Sequence, residues 1–181
     1  MSESENRLKI RNQTFSNEID LDMYAEWDAL SRIDFIDCNF KKIDFLGKII
    51  NFCNFKNSKF NDLSFRKCQF GKSTFENCEF VNIDLTRAEL GYCKFLNCKF
   101  VDCDLSASDF FKCIFFETRL NNSNLKLSTA EDIKFWKSNK FSKSNSNEFF
   151  EVKNESNFEK ILKDMNLLTF PSTDQDQDEN C

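Results

Sequence analysis

The chain has no histidine, three glycines and one proline among its 181 residues. Without imidazole, Ser-His-Asp and Cys-His catalysis and the His-containing zinc sites are excluded. Scarce Gly and Pro argue against a hairpin-rich β fold, because tight two-residue turns depend on residues that tolerate positive φ. No run approaches the roughly 18 apolar residues that a membrane span needs. The segment MSESENRLKIR is polar and charged where a secretory signal would be basic and then apolar, so a cytoplasmic location is expected. The phosphate-cradling patterns GxxxxGK[ST] and GxGxxG and the zinc-binding pattern HExxH are also missing.

Phenylalanine and cysteine are in excess, at 23 and 9 residues. Every fifth position from Leu30 to Leu125 is large and apolar: of 20 positions, 13 are Phe, six Leu and one Ile, without a slip. Two residues before each centre, 14 of the 20 positions are small, among them Cys38, Cys53, Cys68, Cys78, Cys93, Cys98, Cys103 and Cys113. Ile33, Ile43, Ile83 and Leu63 fill four of the others, and Lys48 and Asp28 are the exceptions.

A period of five matches neither the two-residue alternation of a flat strand nor the 3.6-residue turn of a helix. It fits a solenoid in which each five-residue unit makes one side of a square. The centre and the small residue two before it point inward, and the other three face water. Four units make a coil, and stacked coils pair as parallel strands about 4.8 Å apart. Five such coils give a rod of roughly 24 Å.

Stretches such as STFENCEFVNIDL (73 to 85) and KFLNCKFVDCDLSASDF (94 to 110) resemble the pentapeptide-repeat family. The resemblance runs from Leu30 to Leu125 and is expected to reach Phe135. It implies an all-β solenoid, a right-handed quadrilateral parallel β-helix of about five regular coils. The sequence departs from the family pattern in two ways. Asp or Asn just before the centre fills only eight of the 20 units, and Cys replaces the commoner Ala.

The organisation expected is an N-terminal strand and cap over 1–29, the β-helix over 30–136, a C-terminal segment with a short amphipathic helix over 137–170, and a disordered acidic tail over 171–181. Ile10 and Phe15 keep the register, whereas Asp20 and Ala25 break it. Downstream the register fails at Ala130, returns at Phe135 and dissolves in SNKFSKSNSN (138 to 147). Ser156 and Glu159 form a capping box, and Phe158, Ile161, Leu162 and Met165 recur at helical spacing, predicting a helix over about 157–167.

Eight of the nine cysteines take the inward small position and are read as buried, reduced thiols rather than as disulfides or zinc ligands. Carboxylate pairs such as Asp102 with Asp104, or Glu76 with Glu79, are read as solvated outer positions. A filled rod offers no deep pocket, so no enzymatic activity, cofactor or metal is expected, and function falls to the outer surface.

By resemblance to Qnr-type members of the family, the implied partner is a type II topoisomerase, DNA gyrase or topoisomerase IV, bound by a dimeric acidic rod that imitates duplex DNA. The charge distribution runs against this: the net charge is −4 over residues 1–30, +3 over 31–130 and −4 over 131–181, and summing by face yields no acidic side. The acidic partner surface expected is therefore Glu18, Asp20, Asp22, Glu26 and Asp28. The alternative is a structural or interaction scaffold whose partner is unrelated to DNA topology. Direct nucleic-acid or membrane binding is not expected. Leu96, Phe116 and Trp136, spaced by 20 and flanked by Phe111 and Ile114, form an outward apolar column. The helix bearing Phe158, Ile161, Leu162 and Met165 is expected to cover it, with a homodimer through the C-terminal end.

Overall fold

The computed structural model describes the backbone of residues 7–26, 29–136, 139–142, 149–152 and 168–169, and side chains between 7 and 134 except at positions 19, 27 and 28. The five-residue units wind into a parallel β-solenoid of about five coils. We number its faces in chain order, the first centred on Phe35, Phe55, Phe75, Phe95 and Phe115, the second on Phe40, Phe60, Phe80, Phe100 and Leu120. The third is centred on Phe45, Phe65, Leu85, Leu105 and Leu125, the fourth on Leu30, Ile50, Phe70, Leu90, Phe110 and Ala130. The first, second and fourth faces are sheets of seven, eight and seven strands.

All 20 centres from Leu30 to Leu125 are buried. Partners one coil apart stand opposite each other in the ladder, as Phe75 does with Phe95 and Phe80 with Phe100. The Phe80 and Phe100 rings stack with centroids 4.4 Å apart and planes within 3°. Neighbouring columns meet edge-on, as Phe75 and Phe80 do at 5.5 Å and 64°. A square of side one unit brings rings from adjacent faces together at a steep angle, and both geometries are favoured for aromatic pairs.

The corners answer the shortage of glycine. Each unit ends in a residue at positive φ, without interruption from Arg32 to Asp132, and only Gly47 in that series is a glycine. Asn and Asp, which tolerate this conformation best among the others, hold many of these places. Asp37, Asn57, Asn77 and Asn97 form a ladder on one corner, each amide donating to the side chain one coil below at 3.0, 3.1 and 2.8 Å.

The third face departs from the expectation of four continuous ladders. It pairs mainly through isolated bridges such as Asp84 with Asp104 and Asp104 with Asn124. Its units close a tight turn, Lys48 N–H donating to Phe45 O at 2.8 Å and Ala88 N–H to Leu85 O at 3.0 Å. The residue before the centre enforces that turn: Asp44, Asp84, Asp104 and Asn124 each accept the N–H two residues on, at 2.8–3.1 Å. These are Asx turns, so four of the eight units carrying Asp or Asn before the centre lie on this one face.

The inward small residues also have a hydrogen-bonding task. Cys53 Sγ, Ser73 Oγ, Cys113 Sγ and Thr118 Oγ1 donate to the carbonyl of the centre residue 23 positions earlier, at 3.4, 3.0, 3.1 and 3.0 Å. Cys, Ser and Thr interchange because each is small and carries a donor for a buried carbonyl.

At the start, Leu8–Arg11 and Thr14–Phe15 set Ile10 and Phe15 below Phe35 and Phe40 with an offset of 25 residues. A helical turn, Ile19–Asp22, uses the five extra residues and buries Leu21. Lys48, the exception in the small series, is half-buried and meets Asp22 of that turn at 3.2 Å. At the other end, where the rest of 138–147 lies outside the described residues, Asn139–Ser142 joins the second face with Leu120 opposite Phe141, a slip of one residue from the five-residue register. Phe149–Val152 then pairs with it antiparallel, and Leu168–Thr169 adds to the fourth face beside Thr129 and Ala130.

Candidate functional site: the edges of the rod

With the interior filled by side chains, the chemistry available to a partner lies on the outward columns. The corner between the second and third faces is acidic. Asp62 and Asp102 alternate along it with Asn82 and Asn122, whose amides donate to them at 2.7 and 2.6 Å. Asp44, Asp84 and Asp104 stand in the next column. A shallow groove of about 540 Å³ runs between the columns, lined by these five aspartates and by Lys42 as its single cation. Summation by face misses this edge because its charges come from the last residue of one face and the second residue of the next. The turn and ladder bonds named above each use one carboxylate oxygen, so these residues both shape the edge and charge it.

The diagonally opposite corner, between the fourth and first faces, has Arg32, Phe52, Lys72, Tyr92 and Lys112 in one column. Lys72 Nζ sits 5.5 Å from the Phe52 ring centre and 5.9 Å from that of Tyr92. Lys112 Nζ sits 5.8 Å from Tyr92 and 5.1 Å from Phe111. Cations over ring faces are attracted by the aromatic quadrupole. Phe52 and Tyr92 are large, exposed and at positive φ, an unfavourable backbone for bulky residues. Beside this corner the fourth face dips into an open groove of about 650 Å³ over Gly71 and Gly91. A Cβ at Gly71 would lie 2.5 Å from Asn51 Oδ1, which rests over it.

The residues expected to form the N-terminal acidic surface are partly committed to the cap. Asp20 accepts the Ser16 N–H at 3.1 Å, and Asp22 pairs with Lys48. Glu18 and Glu26 are exposed, and Asp28 lies outside the described residues. Glu76 and Glu79 meet Lys56 and Lys99 one coil away at 2.9 and 3.2 Å.

In the expected apolar column, Leu96, Phe116 and Trp136 stand in register on the first face. Leu96, Phe116, Ile114 and Phe111 are half-buried, and Phe111 lies around the corner on the fourth face, its ring edge-on to Tyr92 at 5.3 Å. The helix predicted over 157–167, with Phe158, Ile161, Leu162 and Met165, and the acidic tail from 171 lie outside the described residues.

The eight coil cysteines are free and buried. Burial pushes the Cys53 and Cys103 thiols up to about 11 and that of Cys68 to about 12. Cys98 is raised by burial and by the neighbouring Cys78 thiol, and Cys113 by its contact with Cys93 followed by burial. Such thiols stay protonated and unreactive at neutral pH.

A family model described as pentapeptide repeats matches residues 64–100, in eight copies. No curated protein sequence shows significant similarity. Among solved structures, HetL, a pentapeptide repeat protein involved in heterocyst differentiation regulation from the cyanobacterium Nostoc sp. strain PCC 7120, aligns at 8% identity with a TM-score of 0.52. The alignment covers 69% of this chain and 59% of HetL. QnrB1, a plasmid-mediated fluoroquinolone resistance protein, aligns at 17% identity over 70% of each chain with a TM-score of 0.45. A pentapeptide repeat protein from the Arabidopsis thaliana thylakoid lumen aligns at 16% identity, over 57% of this chain and 61% of its own, with a TM-score of 0.30. At 8% identity the likeness to HetL is one of fold. Residues 64–100 match the pentapeptide-repeat model, and the same five-residue unit runs unbroken on both sides of them.

Proposed function

We propose that this protein is a non-enzymatic binding rod whose acidic edge is taken up by the DNA-binding groove of another protein, the type II topoisomerases DNA gyrase and topoisomerase IV being the partners in view. The observation that carries the reading is the groove lined by Asp44, Asp62, Asp84, Asp102 and Asp104. A basic groove built for duplex DNA accepts negative charge arrayed along a narrow rod, and its field steers such a partner from a distance. The rod supplies that array on one edge although its coils as a whole are slightly basic. The N-terminal acids Glu18, Asp20, Asp22, Glu26 and Asp28 extend the same sign beyond the coils. Homodimerisation through the C-terminal end, by way of Leu96, Phe116 and Trp136, would lengthen the acidic track and belongs to the same proposal. The scaffold reading, with a partner unrelated to DNA, keeps the rod and drops the mimicry.

A gyrase supercoiling assay with and without a quinolone, at micromolar protein, separates the two. Inhibition of supercoiling, or its rescue from the drug, that weakens steeply with salt supports DNA mimicry. No effect on supercoiling or on drug-induced cleavage leaves the scaffold reading.

A further inference from the structure

The basic edge of the rod continues around its corner. Beside Lys72 and Lys112, the neighbouring column of the first face holds Lys94 and Lys134, so the four lysines climb in a zigzag of about one coil per step. Lys72, Lys94 and Lys134 are exposed and Lys112 half-buried, and none of the four takes part in an ion pair among the described residues. Asp34, held by Arg7 at 2.6 Å, lies three coils below Lys94 in its column, and Asp132 with its neighbour Glu131 follows Lys112 one coil on. An unpaired cationic strip flanked by Phe52, Tyr92 and Phe111 suits an extended acidic polypeptide.

The chain carries such a segment, and the last described strand before it lies beside this place. Leu168–Thr169 lies parallel to Thr129–Ala130 on the fourth face, and strands of that face run toward the lysine corner. The strand direction at Thr169 therefore points toward the corner that holds Asp132. Beyond Thr169, Asp174, Asp176 and Asp178 alternate with neutral residues, Glu179 follows, and no Lys or Arg occurs from 170 to 181. In an extended chain alternate residues share one side at intervals of about 6.7 Å, against a rise of about 5 Å between successive lysines, a mismatch within the reach of the long lysine side chains. The descent from Lys134 to Lys72 is roughly 15 Å at 4.8 Å per coil. Nine residues from Phe170 to Asp178 span up to about 30 Å, so the reach is sufficient.

We infer that the acidic segment Asp174–Glu179 folds back along the rod and docks in cis on Lys134, Lys112, Lys94 and Lys72. The consequence is a rod whose basic edge is neutralised by its own chain, leaving the acidic edge as the dominant field. This goes beyond the proposed function and holds for a scaffold as well.

Cys181 supplies the probe, because the eight coil cysteines are buried. A nitroxide attached to Cys181 in the full chain should broaden the amide resonances of Tyr92, Lys94 and Lys112 and spare those of Asp62 and Asp102 on the opposite edge. The broadening should be lost in high salt, and in both Asp174→Asn/Asp176→Asn/Asp178→Asn/Glu179→Gln and Lys72→Gln/Lys94→Gln/Lys112→Gln/Lys134→Gln. Equal broadening on all edges, or broadening that survives either set of substitutions, overturns the proposal. So does transfer of the effect to unlabelled, isotope-enriched chains mixed with labelled ones, which would place the segment on a second copy.

Discussion

The acidic edge at Asp62 and Asp102 and the cation–aromatic edge at Lys72 and Tyr92 are built on one backbone. Both consist of residues at positive φ that close a five-residue unit, stacked one coil apart: φ is 53° and 54° at the two aspartates, 51° and 57° at Lys72 and Tyr92. Their chemistry nevertheless has nothing in common. The difference teaches that the path of the chain at these corners does not depend on the chemistry of the corner residue. A Phe or Leu centre and a small donor two residues before it leave the corner residue free to carry whatever a partner requires.

The sharpest way to break that comparison is to move the damage inside. Phe80→Ala removes a ring stacked on both Phe60 and Phe100 and should cost about 3–5 kcal/mol, as large core truncations do. Glu79→Ala, one residue away and paired on the surface with Lys99, should cost under about 1 kcal/mol. Thermal melts of the two variants check this, and equal melting temperatures would contradict the assignment of inside and outside.

The thiols sharpen it next. The folded state holds Cys68 near 12 against a reference of 9.0, so the unfolded chain ionises first as pH rises. The stability due to the protonated thiol is complete below about pH 9 and is lost progressively up to about 12, at about 1.4 kcal/mol per pH unit per thiol in that window. Denaturant melts at pH 8 and 10.5 should therefore show a smaller alkaline loss for Cys68→Ala than for the parent. Ala is compatible at this position, since Ala88 occupies it one coil above.

The smallest effect is expected at a corner. Leu127 is exposed at φ 62°, a conformation costly for its branched side chain. Leu127→Asn should raise stability by about 0.5–1 kcal/mol, readable as a small upward shift in melting temperature.

The fold was legible because its signal repeats: one period over 20 units outweighs any single propensity. Burial of Phe45 or Leu105 followed from the register alone. The third face was not legible in the same way, because an Asx turn at Asp84 and a ladder position at Asp34 have the same residue type at the same place in the unit. The edges were the least legible part. Asp62 and Asp84 are 22 residues apart in sequence, and only the winding of the coil brings their columns side by side. The caps obey local rules of their own, as the one-residue slip at Phe141 illustrates.

Asn is already present in the acidic edge at Asn82, Asn122 and Asn124, where it serves both the ladder and the Asx turn. Replacing Asp44, Asp62, Asp84, Asp102 and Asp104 together by Asn therefore removes charge while keeping the bonds. The most direct test measures gyrase supercoiling in the presence of this variant, alongside its melting temperature and a Lys72→Gln/Lys112→Gln control. The acidic-edge variant should melt like the parent and lose its effect on supercoiling, while the control retains it. An acidic-edge variant that folds and acts on gyrase as the parent does would contradict the assignment of recognition to that edge.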